Sequence, residues 1–197
     1  MILLFARSRT LISWLIRLDT WSPWSHVAML TPDGTVIEAR FPGLKALLAK
    51  LFLRRPAPGV REVALADFIA DNGVIQPVVF PVKDVDAGMA WARTQVGCEY
   101  DWSGLFGFIV HRLWAHTKEW WCSELATMVL EKAFTPYLDP SAVNRATPQD
   151  LWQLAARRLP FFFDVLTSHP GLFMAKLRIE LAGERKVDHK SHFRPLH

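Results

Sequence analysis

Thr31-Pro32-Asp33-Gly34 lies between two β-rich runs, Ser25–Leu30 and Thr35–Arg40. Proline, aspartate and glycine in that order form a tight turn, because proline presets φ and glycine tolerates positive φ. The flanking residues are mostly β-branched or apolar, so the segment reads as a β-hairpin. Side chains alternate across a strand. Val36 and Glu38 therefore share one face, and Ile37 and Ala39 share the other. Folding back at Asp33-Gly34 sets His26 roughly opposite Glu38, and same-face neighbours across a hairpin are about 4.5–5.5 Å apart at Cβ. That spacing permits a carboxylate–imidazole hydrogen bond.

A second stretch, Trp120-Trp121-Cys122-Ser123-Glu124-Leu125, opens a helical pattern. Leu125, Met128, Val129 and Ala133 follow the i, i+3, i+4 spacing of a helix with one buried face. Cys122 falls on its first turn. Unpaired backbone N–H groups and the positive end of the helix dipole stabilise a thiolate there.

The remaining chain reads as alternating short elements. Residues 2–6 form a buried strand. Ser8 to Leu18 form an amphipathic helix with Ser8 or Thr10 as N-cap and Leu11, Trp14, Leu15 and Leu18 on its apolar side. That side is expected to pack on the protein's own sheet, with docking to a membrane surface as the other use of such a helix. Asp19–Pro23 is a turn. Leu44–Phe52 is helical, Arg54–Gly59 is a loop, Val60–Leu65 is a strand, and Asp67–Ala70 is a short helix before the turn Asp71-Asn72-Gly73. Val74–Val82 is a strand interrupted by Pro77, which places it near a sheet edge. Asp84 or Asp86 caps a helix to about Val96, and Gly97 stops it. Cys98–Trp102 is a loop leading to the apolar run Leu105–Val110. Thr147-Pro148-Gln149-Asp150 carries an N-cap, a proline at the first helical position and an acid two residues on. A terminal hairpin over 161–181 follows. Residues 1–182 are read as one domain and 183–197 as a flexible polar tail.

With 197 residues, 51% of them hydrophobic, the chain is long and apolar enough for a full core, which excludes a disordered class. The net charge of +4 comes from 23 basic and 19 acidic residues without a continuous basic stripe. It excludes a nucleic-acid footprint and suits an anionic or peripheral membrane surface. The two cysteines, Cys98 and Cys122, have no metal-ligand spacing with the seven histidines, and no cofactor is expected. The start of the chain lacks the basic, long-apolar pattern of a signal peptide, and no apolar run reaches the roughly 20 residues of a transmembrane helix. A cytoplasmic or phage-associated protein is expected, which would reach a cell wall by lysis or in a particle. Oligomeric state is not legible.

Thiol catalysis needs a thiolate, a base within hydrogen-bond reach and a polar group that orients the base. Cys122, His26 and Glu38 supply those residue types. Each also has a plain structural use: a small buried hydrophobe, a strand histidine and a solvated acid. Spacing alone leaves both readings open.

Taken together, Trp24-Ser25-His26-Val27-Ala28-Met29, Asp33-Gly34-Thr35-Val36-Ile37-Glu38-Ala39, Gly97-Cys98-Glu99-Tyr100-Asp101 and Trp121-Cys122-Ser123-Glu124-Leu125 resemble the circularly permuted NlpC/P60 (papain-like) thiol hydrolases. This group includes YiiX/YebB-like bacterial proteins and, more distantly, lecithin–retinol acyltransferase-like enzymes. In it the histidine strand precedes the cysteine helix, as here. The resemblance covers about residues 1–135, including a weaker match from Gly59-Val60-Arg61-Glu62 through Leu65-Ala66-Asp67-Phe68. It implies an α+β papain-like fold, a small antiparallel sheet packed against helices, with Cys122 as nucleophile, His26 as base and Glu38 as the third member. Tyr100 matches a position near the site and is expected to contact substrate, with Trp121 and Trp24 as candidate groove walls. Asp101 is a loop or cap residue, and Cys98 has no counterpart. The helix at Ser8–Leu18, the segment Trp102–Trp121 and everything after Pro136 depart from a minimal version. The implied activity is amide hydrolysis of a peptide or envelope polymer such as peptidoglycan. A lipid-directed thiol hydrolase or acyltransferase, or a non-catalytic phage or virion module, are the alternatives.

Overall fold

Ile2 to Ala6 are buried along their whole length, so the strand they form needs a partner on each edge and a covering layer on each face. The computed structural model describes residues 1–8, 11–41, 43, 52, 59–100, 119–139, 143 and 145–158. In it β1 (Ile2–Arg7) lies between β2 (His26–Leu30) and β5 (Val74–Val79), antiparallel to both. β3 (Thr35–Ala39) and β4 (Val60–Ala64) complete a five-stranded sheet of order β4-β3-β2-β1-β5. All its pairings are antiparallel. β5 is an edge strand, as Pro77 requires, since a proline nitrogen donates to no ladder. Pro77 stands opposite Leu4.

Five helices are seen among the described residues: α1 (Leu11–Thr20), α2 (Leu65–Asp71), α3 (Val85–Thr94), α4 (Cys122–Lys132) and α5 (Pro148–Arg158). Alternation along the strands divides the core in two. Leu3, Phe5, Val27, Met29, Ile37 and Val78 face Met89 of α3, Leu125, Ala126 and Val129 of α4, and Leu151 of α5. On the other face Leu4, Ala28, Leu30, Val36 and Ile75 meet Leu65, Phe68 and Ile69 of α2. The architecture is α+β. Fully burying a Leu, Val or Phe side chain contributes about 1.5–3 kcal/mol, so α4 is held chiefly by its Leu125–Val129–Leu130 stripe.

The helix starts follow local chemistry. Asp84 accepts from the N–H of Ala87 and caps α3. Gly97, at φ 92°, follows its end. At α5 the Thr147 Oγ1 accepts from the Asp150 N–H while Asp150 Oδ2 accepts from the Thr147 N–H, a reciprocal capping box.

Three expectations are corrected. α1 does not pack its apolar side on the sheet. Trp14, Leu15 and Leu18 are exposed, whereas Ser13 is buried with its Oγ 2.6 Å from Ser25 Oγ. α1 meets the core through Ile16 and the Ser22–Ser25 connection through Ser13. The helix also runs to Thr20, and the turn starts at Trp21, whose φ is 50° and which is 91% exposed. Residues Glu99–Tyr100, read as loop, form β6, a two-residue strand parallel to β7 (Glu119–Trp120). Backbone bonds from Gly59 and Val60 to the Cys98 carbonyl bring that segment onto β4. The expected Thr10 cap, the 44–52 helix apart from Phe52, the 54–58 loop, Asp101, the 105–110 run, the 161–181 hairpin and the 183–197 tail lie outside the described residues.

Candidate active site

α4 begins where the β2–β3 ladder ends. The ladder's pairs are Met29↔Ile37 and Leu30↔Val36, next to the turn. Continued in step, this register sets Glu38 opposite Ala28. His26 and Glu38 are thus same-face diagonal neighbours rather than directly opposite. A glutamate side chain spans that diagonal, and His26 Nε2 lies 2.6 Å from Glu38 Oε2. His26 is the first residue of β2. Its ring packs beside Phe68 of α2, with centroids 6.1 Å apart, and reaches Cys122 at the end of the sheet, where the two cores meet. With Nε2 on Glu38, Nδ1 is the nitrogen left for Cys122.

Cys122 is the first residue of α4, with Trp121 at the N-cap position in extended conformation. Among side chains His26 acts most strongly on the Cys122 sulfur, and the backbone N–H groups of Val27 and Ser123 act in the same direction. Burial alone would raise the thiol's pKa. The His26 hydrogen bond and charge, with the two N–H groups, outweigh it and lower the pKa below the ordinary thiol value. Ser123 Oγ donates to the Ala146 carbonyl at 2.5 Å. This bond ties the first turn of α4 to the residue ahead of the α5 cap.

Burial would likewise lower the pKa of His26, but hydrogen bonds to Cys122 and Glu38, with both their charges, raise it from 6.5 to about 9. Glu38 is fully buried. Desolvation would raise its pKa, yet His26 and then Arg61 bring it down to about 2. These contacts favour a thiolate–imidazolium pair, with the Glu38 carboxylate ionised above about 2.

The network behind Glu38 was not anticipated from the sequence. Arg61, directly opposite Glu38 in the β3–β4 ladder, donates Nε at 2.9 Å and an Nη at 2.6 Å to Glu38 Oε1. The same Nη donates to Asp71 Oδ2 at 2.9 Å, and Arg40 donates to that oxygen at 2.8 Å. A buried carboxylate needs such partners to remain ionised. The available signal was the cross-strand pairing, since Arg61 stands at a same-face position once β4 is aligned with β3.

A cavity of about 270 Å³ opens over Cys122 and His26, between α1 on one side and Phe41 and Tyr100 on the other. It is smaller than typical ligand pockets of about 300–1,000 Å³ and suits one side chain or a short acyl group. Tyr100 is buried and lines it, edge-on to Phe41 at 6.0 Å. The backbone of Tyr100 approaches because Gly59 has no Cβ; a Cβ there would lie 2.4 Å from the Tyr100 Cβ.

The other two candidate substrate residues are placed differently. Trp24 is buried against Phe5 and Trp152, at 6.3 and 5.1 Å between ring centroids, and Trp121 is buried in the same core. Neither is among the described residues lining the cavity. Both brace the elements that carry His26 and Cys122, because large aromatic surfaces beside a strand start and a helix start are drawn into the core. Cys98 is half-buried and reduced, with its sulfur 3.9 Å from Gln95 Oε1.

Among the described residues no group of three or more His, Cys, Asp or Glu side chains could hold a metal ion, and no helix is long and apolar enough to cross a membrane. No protein-family model matches the chain, and no curated protein matches it at a significant level.

Proposed function

We propose that this protein is a cysteine hydrolase of the permuted NlpC/P60, papain-like kind. Its substrate in this reading is an amide of a peptide or envelope polymer, with peptidoglycan peptide as the leading class. The observation that carries the reading is that Cys122, at a helix start, and His26 line one cavity, with His26 Nε2 2.6 Å from the buried Glu38 Oε2.

In this reading the Cys122 thiolate attacks the carbonyl carbon and the carbonyl oxygen becomes an oxyanion. The Cys122 N–H, at the first turn of α4 and outside the intrahelical ladder, is one donor to it. Imidazolium gives its proton to the departing amine, and the carbonyl re-forms as a thioester on Cys122. His26, now neutral, takes a proton from water, and the hydroxide displaces the sulfur. The acid product leaves with thiolate and imidazolium restored. Glu38 stays ionised throughout and stabilises the imidazolium.

Purified sacculi incubated with the protein should release new amines, and Cys122→Ala should abolish the release. Absence of release, together with a Cys122 that iodoacetamide labels no faster than a free thiol, would remove the catalytic reading.

The outward apolar side of α1 favours a second reading, a thiol hydrolase or acyltransferase that works on lipid. Trp14, Leu15 and Leu18 are exposed on the helix that walls the cavity, and Trp21 is exposed just after it; tryptophan-bearing amphipathic helices bind membrane interfaces. Under this reading the protein co-sediments with phospholipid vesicles and accumulates an acyl adduct on Cys122.

A further inference from the structure

The two arginines beside Glu38 differ in what they face. Arg61 spends its Nε and one Nη on the buried Glu38 carboxylate. Arg40 instead lines the cavity together with Cys122 and His26, and its side chain is 30% exposed. Asp71 Oδ2 engages one Nη of Arg40 at 2.8 Å, and Glu38 Oε1 is 3.8 Å from the same nitrogen. Asp71 itself is not among the lining residues, and Glu38 is fully buried behind His26.

The ionisable residues that line the described cavity wall are Arg40, His26 and Cys122. No aspartate or glutamate lines it, while Ser25, Asn72 and Tyr100 add polar groups. Once the thiolate is consumed in acylation, the wall is positive. A guanidinium held by a carboxylate at one nitrogen keeps its remaining N–H edges in fixed directions, which is the arrangement that recognises a second carboxylate.

Resting on the cysteine-hydrolase reading, we propose that the site takes acyl donors bearing a free carboxylate close to the scissile carbonyl, and that Arg40 is the residue that recognises it. Arg40 is then a specificity-determining residue, distinct from Arg61, which holds Glu38 and Asp71 and is not among the described lining residues. Asp71 positions Arg40.

The test needs no natural substrate, because iodoacetate and iodoacetamide are nearly the same size and differ by one carboxylate charge. Rates of Cys122 alkylation by each, normalised to their rates with free cysteine at the same pH, define a preference for the anion. Arg40→Gln should lower that preference by about three- to tenfold, the effect of one unit charge at several ångströms in a partly screened site. Arg40→Lys should restore most of it. In the unmodified protein, acetate should slow iodoacetamide labelling more than acetamide does at equal ionic strength, a measurement that does not depend on how a variant folds. An unchanged anion preference in a folded Arg40→Gln protein, or equal protection by acetate and acetamide, overturns the proposal. A Cys122 that reacts with neither reagent faster than free cysteine overturns the hydrolase reading instead.

Discussion

Glu38→Gln isolates the charge that the buried carboxylate contributes to His26. Glutamine keeps an oxygen able to accept from Nε2–H, so the bond changes from charge-assisted to neutral without opening a cavity. Hydrogen bonds to a charged group contribute about 1.5–3 kcal/mol and neutral ones about 0.5–1.5, so the exchange costs imidazolium on the order of 1–2 kcal/mol. At about 1.4 kcal/mol per pKa unit, His26 should lose its proton roughly one unit earlier, below the value of about 9 that it has with Glu38 in place. Part of the elevation remains, because Cys122 contributes to it independently. The titration is followed by NMR of the imidazole ring protons. A His26→Gln spectrum identifies the signal among the seven histidines. Arg61 keeps Asp71 as a partner, so the variant is expected to fold, which a thermal unfolding curve checks. A His26 midpoint that is the same with glutamate and glutamine at position 38 would refute the argument that this carboxylate holds the imidazolium. A midpoint near 6.5 in the unmodified protein would refute the geometry as a whole.

Two further outcomes follow from the same contacts. Glu38 has a folded pKa of about 2 against an ordinary 4.5, so its contribution to stability is complete above about 4.5 and is lost as the pH falls towards 2. Urea unfolding midpoints across that interval should fall more steeply for the unmodified protein than for Glu38→Gln, and parallel curves would count against a buried ionised Glu38. Gly59→Ala would force a Cβ to within 2.4–2.6 Å of Tyr100 backbone and Cβ atoms. Overpacking of this kind costs about 1–3 kcal/mol and lowers Tm by about 2–4 °C per kcal/mol in a chain of this size. An unchanged Tm would mean that Tyr100 does not rest on Gly59.

The elements that local chemistry dictates were legible in advance. Pro32-Asp33-Gly34 marked the β2–β3 hairpin, Pro77 marked an edge strand, Asp84 and Thr147 marked helix starts, and the spacing from Leu125 marked the buried stripe of α4. Each signal acts within a few residues, through φ restriction, a missing N–H, a capping oxygen or a helical period. The pairing of His26 with Glu38 was legible as a shared face, because alternation survives any even shift in register. The diagonal offset was not, since turn geometry sets the register.

What tertiary structure decided is everything that depends on which surfaces meet. Trp14, Leu15 and Leu18 of α1 follow the expected helical spacing yet face outward, while Ile16 meets the core and Ser13 is buried against Ser25; amphipathicity alone does not say which side is inside. Trp24 and Trp121 sit beside His26 and Cys122 in sequence but brace them from the core, where their large apolar surface is better buried than on a groove wall. Arg61, Arg40 and Asp71 come from a strand, a strand end and a helix that only the assembled sheet brings around Glu38. The sequence by itself determined a thiol at a helix start and a histidine and glutamate on one face of a hairpin. Only folding placed the arginines that keep Glu38 ionised, because a buried charge takes its partners from long-range packing rather than from its neighbours in the chain.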